Sequence, residues 1–128
     1  MTLRRFDNIG IACRDAKRKQ QFYTEVLGCE AAPLEDGATS FGASIGDVAF
    51  YIFETSATNE VGRDDGMPTN SVGVDHLTFK SEDFGAAQAE LGSKGVTWVG
   101  DTVDEPGGFR YRVFHDPDGN MICVIHKS

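Results

Sequence analysis

Two stretches of the 128-residue chain echo each other, and the position at which they differ could carry chemistry. Phe6-Asp7-Asn8-Ile9-Gly10-Ile11-Ala12-Cys13-Arg14-Asp15 is answered by Val74-Asp75-His76-Leu77-Thr78-Phe79-Lys80-Ser81-Glu82-Asp83. Each runs from an apolar residue through Asp to a polar residue, then along an alternating stretch to an Asp seven positions after the polar one. At the polar position His76 offers a neutral imidazole, which binds divalent cations or takes up a proton near pH 7. Asn8 offers only an amide oxygen, a much poorer ligand for a transition metal. Matching the turn at Gly46-Asp47 to that at Gly119-Asn120 pairs Phe50 with Cys123 on the strands that follow. Phe50 has no donor atom. Cys123 could bind zinc as a thiolate, or be a small buried hydrophobe in an apolar strand.

Other residues extend this set. Trp98, the single tryptophan, could wall a ligand cleft or sit in the core. Arg110 and Arg112 share a strand parity, so they point together, either into a cleft to meet an anion or out to solvent. Desolvating two arginines without carboxylate partners is costly, which favours solvent for at least one of them. His115, His126 and Glu54 read as surface residues, and Arg14-Asp15-Ala16-Lys17-Arg18-Lys19 as a solvated helix face. Cys13, Cys29 and Cys123 are an odd number without CxxC spacing and read as reduced thiols. No Gly-rich phosphate loop, Ser-His-Asp order or zinc-finger spacing occurs in the sequence.

The net charge of −8 repels nucleic acid and anionic membrane and favours cationic ligands. No apolar run is long enough for a transmembrane helix. Met1-Thr2-Leu3-Arg4-Arg5 leads into an alternating strand instead of an apolar signal core, so a cytoplasmic protein is expected.

The elements that must position these residues follow from periodicity. Residues 5–13 alternate as a strand whose polar or small set is Asn8, Gly10 and Ala12. Asp15 is placed to cap a helix in which Phe22, Tyr23, Val26 and Leu27 form the buried stripe, stopped at Gly28. Strands are expected over 29–34, 39–45 and 48–54. The second unit repeats this order, with a strand over 74–80, a helix over 82–94 stopped by Gly95, and strands over 96–99, 109–114 and 121–126. The segment 55–73 has no periodicity and joins the two; Met67 within it is a candidate adaptable contact that could cover a cleft. The chain reads as one α+β domain over 1–128, with module 1 at about 5–54, the linker at 55–73 and module 2 at about 74–126.

Asp7-Asn8-Ile9-Gly10-Ile11, Phe22-Tyr23 with Leu27-Gly28, Asp75-His76-Leu77 and Asp116-Pro117-Asp118-Gly119-Asn120, in this order and spacing, resemble the vicinal oxygen chelate superfamily. Its members include glyoxalase I, extradiol dioxygenases, fosfomycin resistance enzymes and bleomycin-binding resistance proteins. The resemblance implies two βαβββ modules forming a curved, eight-stranded mixed sheet, with a concave ligand cleft and helices on the convex side. It makes Asn8, Phe50, His76 and Cys123 the four candidate ligand positions, of which only His76 retains a standard metal ligand. The expectation is therefore a homodimeric small-molecule binding protein that needs no metal and holds an aromatic or cationic ligand with Asn8, Phe50, His76, Cys123, Trp98 and Arg110. The alternative is a lyase, isomerase or dioxygenase with Zn, Mn, Fe or Ni anchored by His76, or a metal-free enzyme with His76 as base.

Overall fold

The computed structural model describes residues 2–59 and 62–127. Met1, Glu60, Val61 and Ser128, which belong to the expected leader reading, the linker and the chain end, lie outside the described residues. The protein is α+β, as expected, and divides into two compact units, Met1–Thr58 and Asn59–Ser128.

In the first unit β1 is Ile9–Cys13, α1 is Ala16–Gln21, β2 is Ser40–Ile45 and β3 is Val48–Glu54. Asp15 caps α1 as its sequence position predicts: its backbone is extended, and Oδ1 accepts from the N–H of Arg18 at 3.2 Å. After one and a half turns the helix widens into a π-helical turn over Phe22–Val26, and Gly28 leaves it at φ +78°. The buried stripe of this helix includes Tyr23 as predicted, but also Lys19, which was expected in solvent. Lys19 is fully buried, and its Nζ lies 5.6 Å from the centre of the Tyr23 ring.

The first sheet has the order β1-β3-β2, with β1 parallel and β2 antiparallel to β3. The strand expected over 29–34 is absent; only a single bridge, Glu30 to Ser44, forms there. Paired residues share a face, so the register assigns Ile9, Ile11, Phe41, Ala43, Phe50 and Ile52 to one side. Those six are buried or half-buried, and Tyr23 packs onto them edge-on through Phe50, with ring centres 5.7 Å apart. The other side is open and carries Gly10, Ala12, Gly42, Tyr51 and Phe53.

In the second unit β4 is His76–Lys80, α2 is Phe84–Ser93, β5 is Thr97–Trp98, β6 is Val103–Glu105, β7 is Phe109–His115 and β8 is Met121–Lys127. Asp83 caps α2 as Asp15 caps α1, accepting from Ala86 N–H at 3.0 Å. The sheet runs β4-β8-β7-β5, with β4 parallel to β8 and β6 paired to β7. β6 was not expected, because 103–105 carries no apolar alternation. The turn at residues 116–120 is built around Asp116, whose Oδ1 accepts from the N–H groups of Asp118 and Asn120 at 2.9 Å each.

Candidate functional site

The register of the second sheet sorts its chemical residues onto two faces. His76 pairs with Met121, Thr78 with Cys123 and Lys80 with Ile125, so all six share a face, and β7 adds Tyr111, Val113 and His115. On this face His76 Nδ1 lies 2.8 Å from Asp75 Oδ2. Asp75 Oδ1 accepts from Asn70 Nδ2 at 2.8 Å and lies 3.7 Å from Arg63 Nη1. The hydrogen bond from His76, then that from Asn70, hold the Asp75 carboxyl below the usual carboxylate range, with the charges of His76 and Arg63 acting in the same direction. A carboxylate on Nδ1 fixes the ring and leaves Nε2 as the reactive nitrogen.

The linker covers part of the face. Its 3₁₀ turn, Met67–Thr69, brings Met67 against the buried cluster of Val113, Met121 and Cys123, beside Val99 and Tyr111. This is the covering contact anticipated for Met67 from the sequence. The Arg63 guanidinium donates to the Ser71 carbonyl, and His115 Nε2 meets the Arg63 carbonyl at 2.8 Å, so the second half of the linker is tied across itself and to β7. His115 is thereby a half-buried fastening and not the surface residue expected. His126 also has a partner, the Ser81 carbonyl at 3.1 Å from Nδ1.

Trp98 and Arg110, both candidate ligand contacts, lie on the opposite face. Trp98 pairs with Phe114 and Arg110 with His126, the set that alternates with Tyr111 and Val113. Trp98 stands edge-on to Phe114 at 5.5 Å, and Arg112 lies over its ring at 4.3 Å while donating to the Gly100 carbonyl. Arg110 Nε reaches Asp104 at 2.6 Å and is exposed, as favoured for at least one of the pair. Both arginines carry partners on the side away from His76, and the correction is one of strand parity.

A second parity correction concerns Phe50. The register sets Ile9 against Phe50 and Leu77 against Ile122, so the counterpart of Cys123 in the first sheet is Tyr51. Phe50 is 4% exposed on the helix side, whereas Tyr51 is 48% exposed on the open side. Tyr51 and Phe53 stack at 5.7 Å with 26° between their planes, above Gly10, Ala12 and Gly42, whose small side chains leave the rings uncovered. Sequence reading missed this pair. The run Val48-Ala49-Phe50-Tyr51-Ile52-Phe53 has no polar alternation to set parity. Asn8 precedes β1, is exposed, and donates from Nδ2 to its neighbour Asp7 at 2.7 Å. Glu54, expected in solvent, accepts from Ala16 N–H at 2.8 Å at the start of α1.

The donor chemistry does not fit the metal sites of the resembling enzymes. Burial pushes the Cys123 thiol pKa up, partly offset by a hydrogen bond with Thr78, which disfavours the thiolate on the face that Cys123 shares with His76. Tyr51, the matching residue of the first sheet, has no carboxylate. Among the described residues no three His, Cys, Asp or Glu side chains gather as a ligand group.

Comparison with known proteins gives the context of this arrangement. The family described as the Glyoxalase/Bleomycin resistance protein/Dioxygenase superfamily matches residues 5–124. The uncharacterized protein YwbC of Bacillus subtilis (strain 168) is 28% identical over 129 residues, covering 97% of this chain and 98% of its own. Among solved structures, the glyoxalase family protein from Enterococcus faecalis superposes with a TM-score of 0.75 at 22% identity, covering 98% of this chain and 99% of its own. TnmS3, an antibiotic binding protein from Streptomyces sp. CB03234, gives a TM-score of 0.73 at 20% identity over 100% of this chain and 99% of its own. At these identities the two structures establish the fold alone.

Proposed function

The chain belongs to the Glyoxalase/Bleomycin resistance protein/Dioxygenase superfamily, and from that premise we propose that it binds a small molecule with a flat apolar portion and does so without a resident metal. The observation that carries this reading is the Tyr51–Phe53 stack, exposed on the open face of the first sheet over three residues with minimal side chains. Two neighbouring rings inclined by 26° on one strand offer a planar ligand a stacking platform whose ordering cost is already met by the fold. The net charge of −8 favours a neutral or cationic ligand over an anionic one. The antibiotic-binding likeness of TnmS3 fits this class of ligand. Metal independence is supported by the disfavoured thiolate at Cys123 and the aromatic side chain at its counterpart, Tyr51. The test is native mass spectrometry of freshly purified protein: a co-purified organic mass should be retained by the parent chain and lost from Tyr51→Ala. Retention by that variant refutes the platform.

A second reading rests on the Asp75–His76 pair. An imidazole fixed through Nδ1 and open at Nε2 is suited to general base catalysis, with Asp75 as the positioning residue. In that reading the protein is a metal-free enzyme with His76 as base, whereas a lyase, isomerase or dioxygenase of the family's kind would use a divalent metal anchored by His76. An activity lost in His76→Gln while ligand retention is unchanged would establish it. The proposal also includes a cytoplasmic homodimer, and sedimentation showing only a 13.9 kDa species at micromolar concentration contradicts that assembly.

A further inference from the structure

Beyond the proposed function, and independently of it, we infer that the outer edge of β2 binds a small molecule presenting an extended α-acylamino carbonyl unit, the N–H and C=O of one peptide-like residue. The site arises where a ladder stops. Glu30 and Ser44 exchange both backbone hydrogen bonds, at 2.8 and 2.9 Å. In an antiparallel ladder the next rung of this kind lies two residues along each strand, and here it would join Ala32 to Gly42. That rung is not made. The Ala32 carbonyl accepts instead from the Gln20 side chain at 2.7 Å.

The register fixes what remains exposed. Ile45 and Val48 flank the two-residue turn Gly46-Asp47, and Glu54 N–H bonds to the Thr39 carbonyl at 2.8 Å, so the odd-numbered residues of β2 bond inward to β3. Gly42 therefore directs its N–H and C=O outward, toward the gap left by Ala32. Neither group has a protein partner among the described residues. A shallow, largely open depression of about 580 Å³ lies at this point, lined by residues 30–32 and 42–44 and reaching 49 and 50 of β3. A smaller one of about 270 Å³ continues along the edge and shares Ala32 and Gly42 with it.

An unpaired N–H and C=O on one strand residue are complemented by the same two groups of an antiparallel residue, the recognition mode of strand addition. The alanines around the gap leave room for a substituent on the ligand. Glu30 on the lining, within a chain of net charge −8, selects against an anionic end, so the ligand is neutral or cationic.

The experiment is a titration of the ¹⁵N-labelled full chain with N-acetyl-L-alanine N-methylamide, followed by amide cross-peaks. Saturable shifts are expected at residues 30–32 and 42–44. Binding should weaken about tenfold for O-acetyl-L-lactic acid N-methylamide, in which an ester oxygen replaces the donating N–H. Gln20→Ala frees the Ala32 carbonyl to pair with Gly42, so exchange of the Gly42 amide with solvent should slow and probe affinity should fall. The inference is overturned by any of three results: no shift at these residues up to the solubility limit of the probe, equal binding of the ester, or unchanged binding by Gln20→Ala. Tyr51 and Phe53 do not line either depression, so such a failure leaves the proposed function standing.

Discussion

Replacing Phe50 and Tyr51 by alanine, one at a time, should produce opposite phenotypes although the two residues are neighbours of similar size. Phe50 is 4% exposed and meets Tyr23 edge-on at 5.7 Å, so Phe50→Ala removes a buried ring and leaves a cavity. Such truncations cost about 3–5 kcal/mol. For a domain of this length each kcal/mol shifts the melting temperature by about 4 °C, so Phe50→Ala should melt roughly 12–20 °C below the parent. Tyr51 is 48% exposed and loses only its stack with Phe53 and part of its strand preference, together about 1 kcal/mol, or a fall of about 4 °C. Circular dichroism melts, with urea unfolding to confirm that the slope with denaturant is unchanged, measure both effects. Ligand retention should divide the other way: lost from Tyr51→Ala, and kept by Phe50→Ala at a temperature where that variant remains folded. If Tyr51→Ala is as destabilising as Phe50→Ala, the assignment of faces in β3 is wrong and the stacking platform fails with it.

Acid should loosen the linker. The Asp75 carboxyl is held below the usual carboxylate range, so it contributes stability above that range and loses it as pH falls through the depressed folded value, below about 4. Proteolytic nicking within 62–75 by an acid-active protease should therefore rise with falling pH in the parent; a profile unchanged in Asp75→Asn would refute the role given to this carboxylate. Met67→Ala should uncover Cys123, accelerating its reaction with a thiol reagent roughly tenfold, equivalent to about 1.4 kcal/mol of lost cover. Cys29, whose pKa burial pushes up to about 11, should stay slow in both proteins and serves as the internal control. Equal Cys123 rates in the two proteins would show that Met67 is not its cover.

The Asp15 cap, the Gly stops of both helices and the turn at 116–120 were legible because each rests on local chemistry: an Asp at an N-cap, a Gly after a helix, a turn with Pro and Gly. The Asp83 cap was not, because the helix was expected to begin a residue earlier, at Glu82. Strand parity was not legible wherever both neighbours are apolar or both are amphipathic. Phe50 and Tyr51 are equally at home on either face until β1 fixes the register. The side taken by Trp98 and Arg110 stayed open between cleft and core or solvent because aromatic and guanidinium groups suit a cleft as well as they suit each other; the register places both on the face away from His76. The strand expected over 29–34 failed for a reason the local sequence does not contain, the capture of the Ala32 carbonyl by Gln20 from a different element. Lys19 was placed in solvent by its charge alone, whereas it is buried with its ammonium over the ring of Tyr23, one turn along the helix.

Native mass spectrometry of protein purified without chelator, with elemental analysis of the same sample, tests the central claim of metal-free small-molecule binding most directly. The expected result is a substoichiometric metal content, unaffected by His76→Ala, together with an organic adduct that Tyr51→Ala abolishes. About one divalent metal per chain, lost in His76→Ala, would contradict the account and put the metal-dependent enzyme in its place.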